Sequence, residues 1–141
     1  MGPDLNEQVC YALYSTSRAI TQAYKPLLEP LNLTYPQYVV MMALWGNDVV
    51  PISEVAKITR ISNATLTPLL RRLEVNGYIE RRTIKADERQ KSIVLTGAGK
   101  TLARKAKKAS ETALCATGLA EKDVTKLMSL MQQIKSNLDN L

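Results

Sequence analysis

The stretch "NATLTPLLRRLEVNG" (residues 63–77) runs into "YIERRTIKADERQKSIVLTGAGK" (78–100), and the period of the chain changes at their join. The first half reads as a helix, capped by Ser62 and stopped by Gly77. Pro68 falls in its first two turns, where a missing N–H costs least. After Gly77 the period falls to that of a strand. "YIERRTI" (78–84) and "KSIVLT" (91–96) read as strands joined by the charged turn "KADERQ" (85–90). Helix followed by basic hairpin is the pattern of a recognition helix and its wing.

The residues just upstream complete the unit. "PISEVAKIT" (51–59) reads as a short helix and "RIS" (60–62) as a tight connection. A short helix, a turn and a second helix that starts with small polar residues make a helix-turn-helix. Small hydroxyl and amide groups at the start of such a helix can enter a major groove and reach base edges. Asn63, Thr65 and Thr67 supply them, followed by Pro68, Arg71 and Arg72. The alternative is that Ser62 is only a cap and the arginines only solvated. The hairpin argues for DNA, because Arg81, Arg82, Lys85, Arg89 and Lys91 fall within 11 residues. A basic tip can place an arginine in a minor groove, where the potential is most negative.

Helices are expected on both sides. Asp4 and Glu7 have the spacing of a helix start, and Leu5, Val9, Leu13, Ile20, Ala23 and Leu27 follow at helical intervals until Pro26 and Pro30. "LTYPQYVVMMALWGN" (33–47) reads as a helix with Thr34 as N-cap and Pro36 in its first turn. Gly97 and Gly99 open a long helix carrying Lys100, Arg104, Lys105, Lys107 and Lys108, which runs to Cys115 and stops near Gly118. A last helix, Glu121 to Leu138, sets Val124, Leu127, Met128, Met131, Ile134 and Leu138 on one stripe. The expectation is a single domain, mainly α with a small β-hairpin wing.

Composition narrows the chemistry. The chain has 141 residues, 45% hydrophobic and 23% charged, with a net charge of +6 that favours an anionic partner. No apolar run approaches the roughly 20 residues that cross a bilayer. "MGPDLNEQ" has neither the basic start nor the apolar core of a signal peptide, so a cytoplasmic protein without a membrane partner is expected. The absence of histidine removes imidazole bases, imidazole metal ligands and imidazole pH switching. Cys10 and Cys115, 105 positions apart, form neither a zinc knuckle nor a CxxC motif, so no metal or cofactor is expected. A structural disulfide is not expected in a reducing compartment. The two thiols are therefore inert core residues or redox-active ones.

"LTPLLRRLEVNGYIERR" (66–82) followed by "DERQKSIVLTGAGK" (87–100) resembles the winged helix-turn-helix core of the MarR family, with its Asp-x-Arg wing signature at Asp87 and Arg89. Upstream, "CYALYSTSRAITQAYKPLLEPLNLTYPQYVVMMALW" (10–45) resembles the organic hydroperoxide resistance regulators of that family, two-cysteine subgroup. The resemblance implies a DNA-binding core over residues 34–99 and dimerisation helices over 1–33 and 100–141. It implies an obligate homodimer on a pseudo-palindromic double-stranded operator, with organic hydroperoxides as effectors. It also implies roles: Cys10 senses the oxidant, Tyr24 and Tyr35 activate the thiol, and Cys115 of the other subunit captures oxidised Cys10 as a disulfide. Relatives often begin the recognition helix Asp-Ser-Gly or Asp-Thr-Gly, where this chain has Ser62-Asn63-Ala64.

The residues bear on those roles independently. Counted from Asp4, Cys10 lies beyond the first helical turn, so the helix dipole is expected to do little for a thiolate and phenol donors most of the work. Tyr24 stands 14 residues after Cys10, about 21 Å along one helix. The two can meet only if first helices of two subunits pack antiparallel. Alternatives stay open: tyrosines that only pack an interface, a regulator of this fold that senses a phenolic or aromatic ligand, or a thiol peroxidase, which leaves the wing unexplained. A regulator rather than an enzyme is expected.

Overall fold

The structure, a computed structural model, describes residues 1–83 and 91–141. Its contacts divide into two compact units, Met1–Ser110 and Glu111–Leu141.

In the first unit the chain begins with a short 3-10 turn, Leu5–Glu7, and then enters α1 (Val9–Leu28). A single helix from Asp4 does not form. Asp4 does cap, accepting the N–H of Asn6 at 2.9 Å, but it caps the 3-10 turn. Gln8 is extended (φ −90°, ψ 113°) and breaks the path. The first α-helical bond beyond it runs from the N–H of Ala12 to the carbonyl of Gln8, at 3.0 Å. Cys10 is therefore the second residue of α1, within its first turn.

Pro26 lies inside the last turns of α1, and Pro30 in a 3-10 turn, Glu29–Leu31, ends the segment. α2 (Tyr35–Trp45) starts at a capping box. Thr34 accepts the N–H of Gln37 at 3.4 Å, and the Gln37 amide oxygen accepts the N–H of Thr34 at 3.0 Å. α3 (Ile52–Thr59) and α4 (Asn63–Val75) form the helix-turn-helix. Arg60, in the turn, holds a left-handed backbone (φ 59°). The Ser62 hydroxyl caps α4 by accepting the N–H of Thr65 at 3.4 Å. Leu66, Leu70 and Leu73 turn inward and are at most 1% exposed. Each contributes about 1.5–3 kcal/mol of burial.

The wing strands are β2 (Ile79–Thr83) and β3 (Lys91–Leu95), paired antiparallel from Ile79 opposite Leu95 to Thr83 opposite Lys91. A further strand, β1 (Val49–Pro51), joins the other edge of β3, giving the order β1-β3-β2. The hairpin read from the sequence is thus two strands of a three-stranded sheet. Its inner residues Val50, Ile79, Ile93 and Leu95 join the core formed by Leu28, Val40, Met41, Leu44 and Val55.

α5 (Gly97–Ala116) leaves the sheet directly. Its start is pinned by the Trp45 indole, which donates to the Gly99 carbonyl at 2.9 Å. The second unit holds the last turns of α5, a turn at Gly118 (φ 71°) and α6 (Glu121–Asp139). α6 buries no residue, and Leu127, Met128, Leu130, Ile134 and Leu138 are exposed. Contiguous exposed apolar surface of this kind marks an interaction site.

Candidate nucleic-acid interface and redox site

The outer face of α4 carries the DNA candidates. Asn63, Thr65, Thr67, Pro68, Arg71 and Arg72 are all exposed, with Thr65, Pro68, Arg71 and Arg72 turned away from the buried leucine line and Asn63 at the helix start. The helix presents them because leucines at 66, 70 and 73 fix its rotation against the core. The hydroxyls are less free than sequence reasoning assumed. Thr67 gives its proton to the Asn63 carbonyl at 2.9 Å. Ser62 gives its proton to the Thr65 hydroxyl at 3.2 Å. Thr67 therefore offers a base edge its acceptor lone pairs and its methyl group, but not its proton, while the Asn63 amide and the arginines remain the principal donors.

The hairpin arginines divide. Arg81 pairs with Glu74 at 3.5 Å, and its backbone N–H donates to the same carboxylate at 3.2 Å. Arg82 donates to Glu80 at 2.9 Å. Both carry less free charge than the sequence count implied. Lys85, Asp87 and Arg89 lie outside the described residues. A stripe of exposed cations, Lys100, Arg104, Lys105, Lys107 and Lys108, lies along α5 as expected.

Cys10 and Cys115 are free thiols and both are exposed, so neither is the buried apolar cysteine that the alternative reading required. The position of Cys10 changes the premise of the helix-dipole expectation, which counted the helix from Asp4. Because α1 begins at Val9, the thiol shares the first turn with backbone N–H groups that lack intrahelical acceptors. Sequence reasoning placed the helix start at Asp4, because the Asp-x-x-Glu pattern belongs equally to a capped 3-10 turn.

Tyr24 and Tyr35 come together, joined by a third phenol. Ring centroids of Tyr24 and Tyr35 are 5.0 Å apart, Tyr24 and Tyr38 5.4 Å, and Tyr35 and Tyr38 5.9 Å. Trp45 extends the cluster, 6.2 Å from Tyr38. The Tyr24 hydroxyl lies 3.5 Å from the Ser110 hydroxyl of α5. Burial first, and then Tyr24, push the Tyr35 phenol above its ordinary 10.0. Burial does the same to Tyr38, opposed by a hydrogen bond from Ser110. These phenols remain protonated donors at neutral pH, which an anion such as a thiolate can use. Tyr24 and Cys10 of one chain stay about 21 Å apart along α1.

A cleft of about 450 Å³ adjoins the phenols, lined by Arg18, Thr21, Gln22, Lys25, Glu29, Leu33, Thr34 and Tyr35. Among the described residues no His, Cys, Asp and Glu cluster could hold a metal ion, and no helix is long and apolar enough to cross a membrane.

Comparison with known proteins places this geometry. Residues 22–106 match the family model described as transcriptional regulator SarA/Rot. The chain is similar to the organic hydroperoxide resistance transcriptional regulator of Bacillus subtilis (strain 168), at 36% identity over 134 residues, covering 95% of this chain and 91% of that protein. Its structure is similar to the crystal structure of AbfR of Staphylococcus epidermidis, with TM-score 0.80 and 32% identity, covering 96% and 94% of the two chains. Reduced AbfR bound to DNA matches with TM-score 0.79 and 28% identity, covering 95% and 94%.

Proposed function

The chain belongs to the SarA/Rot family of transcriptional regulators, with a MarR-like winged-helix fold, and from that premise we propose that it is a homodimeric repressor released from DNA by organic hydroperoxide. The reduced dimer binds a pseudo-palindromic operator through α4 of each protomer. Residues 34–99 form the DNA-binding core, and the helices of 1–33 and 100–141 join the protomers. The exposed apolar face of α6 and the exposed Leu5, Val9 and Leu13 support that assignment.

The observation that carries the redox reading is Cys10, exposed in the first turn of α1 on a chain whose Tyr24 and Tyr35 form one phenol cluster. The Cys10 thiolate attacks the terminal oxygen of a hydroperoxide. The O–O bond breaks, an alcohol leaves with a proton, and the sulfur becomes a sulfenic acid. The Cys115 thiol of the other subunit attacks that sulfur, water leaves, and an intersubunit disulfide forms. Tyr24 and Tyr35 of the partner donate to the thiolate across an antiparallel α1 seam. Recognition helices must lie roughly 34 Å apart to enter successive major grooves. Oxidation at the seam strains that spacing, and a coupling of about 3 kcal/mol weakens binding roughly 150-fold.

An operator gel shift tests the reading. Addition of cumene hydroperoxide releases the wild-type protein, and dithiothreitol restores binding. Retention of the operator under peroxide overturns it. The cleft beside Tyr35 favours a second reading, a repressor released by a phenolic or aromatic ligand. Loss of binding on adding such a ligand under full reduction distinguishes the two.

A further inference from the structure

The charge excess of the chain falls in one stretch. Of its 19 Lys and Arg, six lie in residues 91–110 (Lys91, Lys100, Arg104, Lys105, Lys107 and Lys108), where there is no Asp or Glu, and the other 13 match the 13 Asp and Glu elsewhere. Five of the six stand on α5, and all five are exposed. Leu102, Ala106 and Ala109 are buried and fix the rotation of that helix. Lys100, Arg104, Lys107 and Lys108 therefore fall on its outer face. Arg104 stands four residues after Lys100, three before Lys107 and four before Lys108. At those spacings like charges face each other and destabilise a helix. Among the described residues Lys100, Arg104 and Lys107 have no carboxylate partner, whereas the hairpin cations Arg81 and Arg82 are matched by Glu74 and Glu80. A self-repelling line on an ordered helix breaks a local rule, and such breaks belong to functional surfaces.

The chemistry of this face selects its partner. Among the described residues no large apolar side chain is exposed between Val75 and Leu114. A protein interface is anchored by aromatic and apolar side chains, and this face offers none. Two copies of it laid together would set like charges against each other, so it is not the seam between protomers. A phosphate backbone fits. Lys100 to Lys108 covers about 12 Å of helix axis. One DNA strand presents a phosphate roughly every 3.4 Å of its axis, so about three or four over that length. Lysine, the main cation here, acts as a point charge rather than a planar fork that reads base edges. We propose that the outer face of α5 is a second DNA-contact surface, which takes the phosphate backbone without regard to sequence and is separate from the groove-reading α4 and the wing. The proposal rests on the DNA-binding part of the functional reading and not on its redox part.

The test is fluorescence anisotropy of a random-sequence duplex of about 30 base pairs with the reduced full chain, over a KCl titration. The triple substitution Lys100→Gln, Arg104→Gln and Lys107→Gln lowers the slope of log affinity against log salt by about two to three units, because each lost phosphate contact removes about 0.9. A control triple, Lys122→Gln, Lys126→Gln and Lys135→Gln, removes the same charge from α6 and leaves the slope at its wild-type value. An α5 variant whose slope equals that of wild type, or one matched by an equal fall in the α6 control, overturns the proposal. Loss of binding to poly-L-glutamate with duplex binding intact also overturns it, and gives the face to an acidic protein instead. Removing like-charge neighbours leaves the α5 variant folded, as circular dichroism reads. If it does not fold, Lys100→Gln and Arg104→Gln decide singly, each lowering the slope by about 0.9. Failure of the functional reading is seen separately, in a wild-type chain that does not prefer its operator to the random duplex or that keeps it under peroxide.

Discussion

Two glycines open α5, and replacing each with alanine has opposite consequences. At Gly97 an added Cβ meets nothing within 4 Å. Gly97→Ala should therefore show only the helix preference of alanine, a gain of at most about 1 kcal/mol and less in a first turn. At Gly99 the added Cβ overlaps the carbonyl oxygen of Tyr78 and also meets Leu95 Cδ2 at 3.3 Å. That carbonyl cannot retreat freely. It accepts the N–H of Thr96 at 3.1 Å, and the Tyr78 hydroxyl is itself fixed by donating to the Leu31 carbonyl at 2.7 Å. Overpacking against a rigid group costs about 1–3 kcal/mol. Displacing the Thr96 bond adds about 1 kcal/mol. The cost exceeds the helix preference, so Gly99→Ala should lose about 2 kcal/mol. For a chain of this size that lowers the melting temperature by roughly 4–8 °C. Urea unfolding of both variants at one fixed protomer concentration checks the pair, because dimerisation makes apparent stability concentration-dependent. A Gly99→Ala midpoint at or above that of Gly97→Ala would refute the reasoning.

Arg71→Ala, which removes an exposed cation from the outer face of α4, should weaken operator binding and reduce the salt slope by about one; an unchanged slope removes Arg71 from the interface. Tyr35 and Tyr38 both have phenols raised above the ordinary 10.0 in the folded state. The fold therefore retains their protons where the unfolded chain sheds them, so stability is intact below pH 10.0 and falls as pH rises through the raised values. Denaturation midpoints from pH 8 to 11 should show that fall, and Tyr38→Phe should lessen it. Peroxide should give a covalent dimer on a non-reducing gel, lost in Cys115→Ser. That variant should instead proceed to irreversible oxides, and a wild-type band that stays monomeric while the operator is released rules out the intersubunit bridge.

The winged helix-turn-helix was legible because local signals agreed there. Leu66, Leu70 and Leu73 gave the helical period, Ser62 the cap and Gly77, with φ 79°, the stop. β1 was not legible. It has three residues, Val49–Pro51, ends in a proline that equally begins α3, and exists because β3, more than 40 positions later, pairs with it. The start of α1 was misplaced because Asp4 does cap, and only the extended Gln8 shows that the capped element is a separate turn. That shift of a few residues moved Cys10 into the first turn of α1. The aromatic cluster was half legible. Tyr35 and Tyr38 share α2 at helical spacing, while Tyr24 and Ser110 reach them from α1 and α5 through tertiary packing. A hydrogen bond from Arg18 to the Tyr14 hydroxyl also left a signal that sequence reasoning passed over, a phenol and a guanidinium four apart on the helix of the thiol.

The central claim is that oxidation of Cys10 drives DNA release. The most direct measurement takes aliquots from one hydroperoxide titration and reads two quantities in each: the fraction of operator bound, by fluorescence anisotropy, and the fraction of Cys10 oxidised, by mass spectrometry. In wild type the operator should be lost in step with Cys10 oxidation, and Cys10→Ser should bind as wild type does and stay bound throughout. Release from Cys10→Ser under peroxide, or wild-type protein fully oxidised at Cys10 yet still on its operator, would contradict the account.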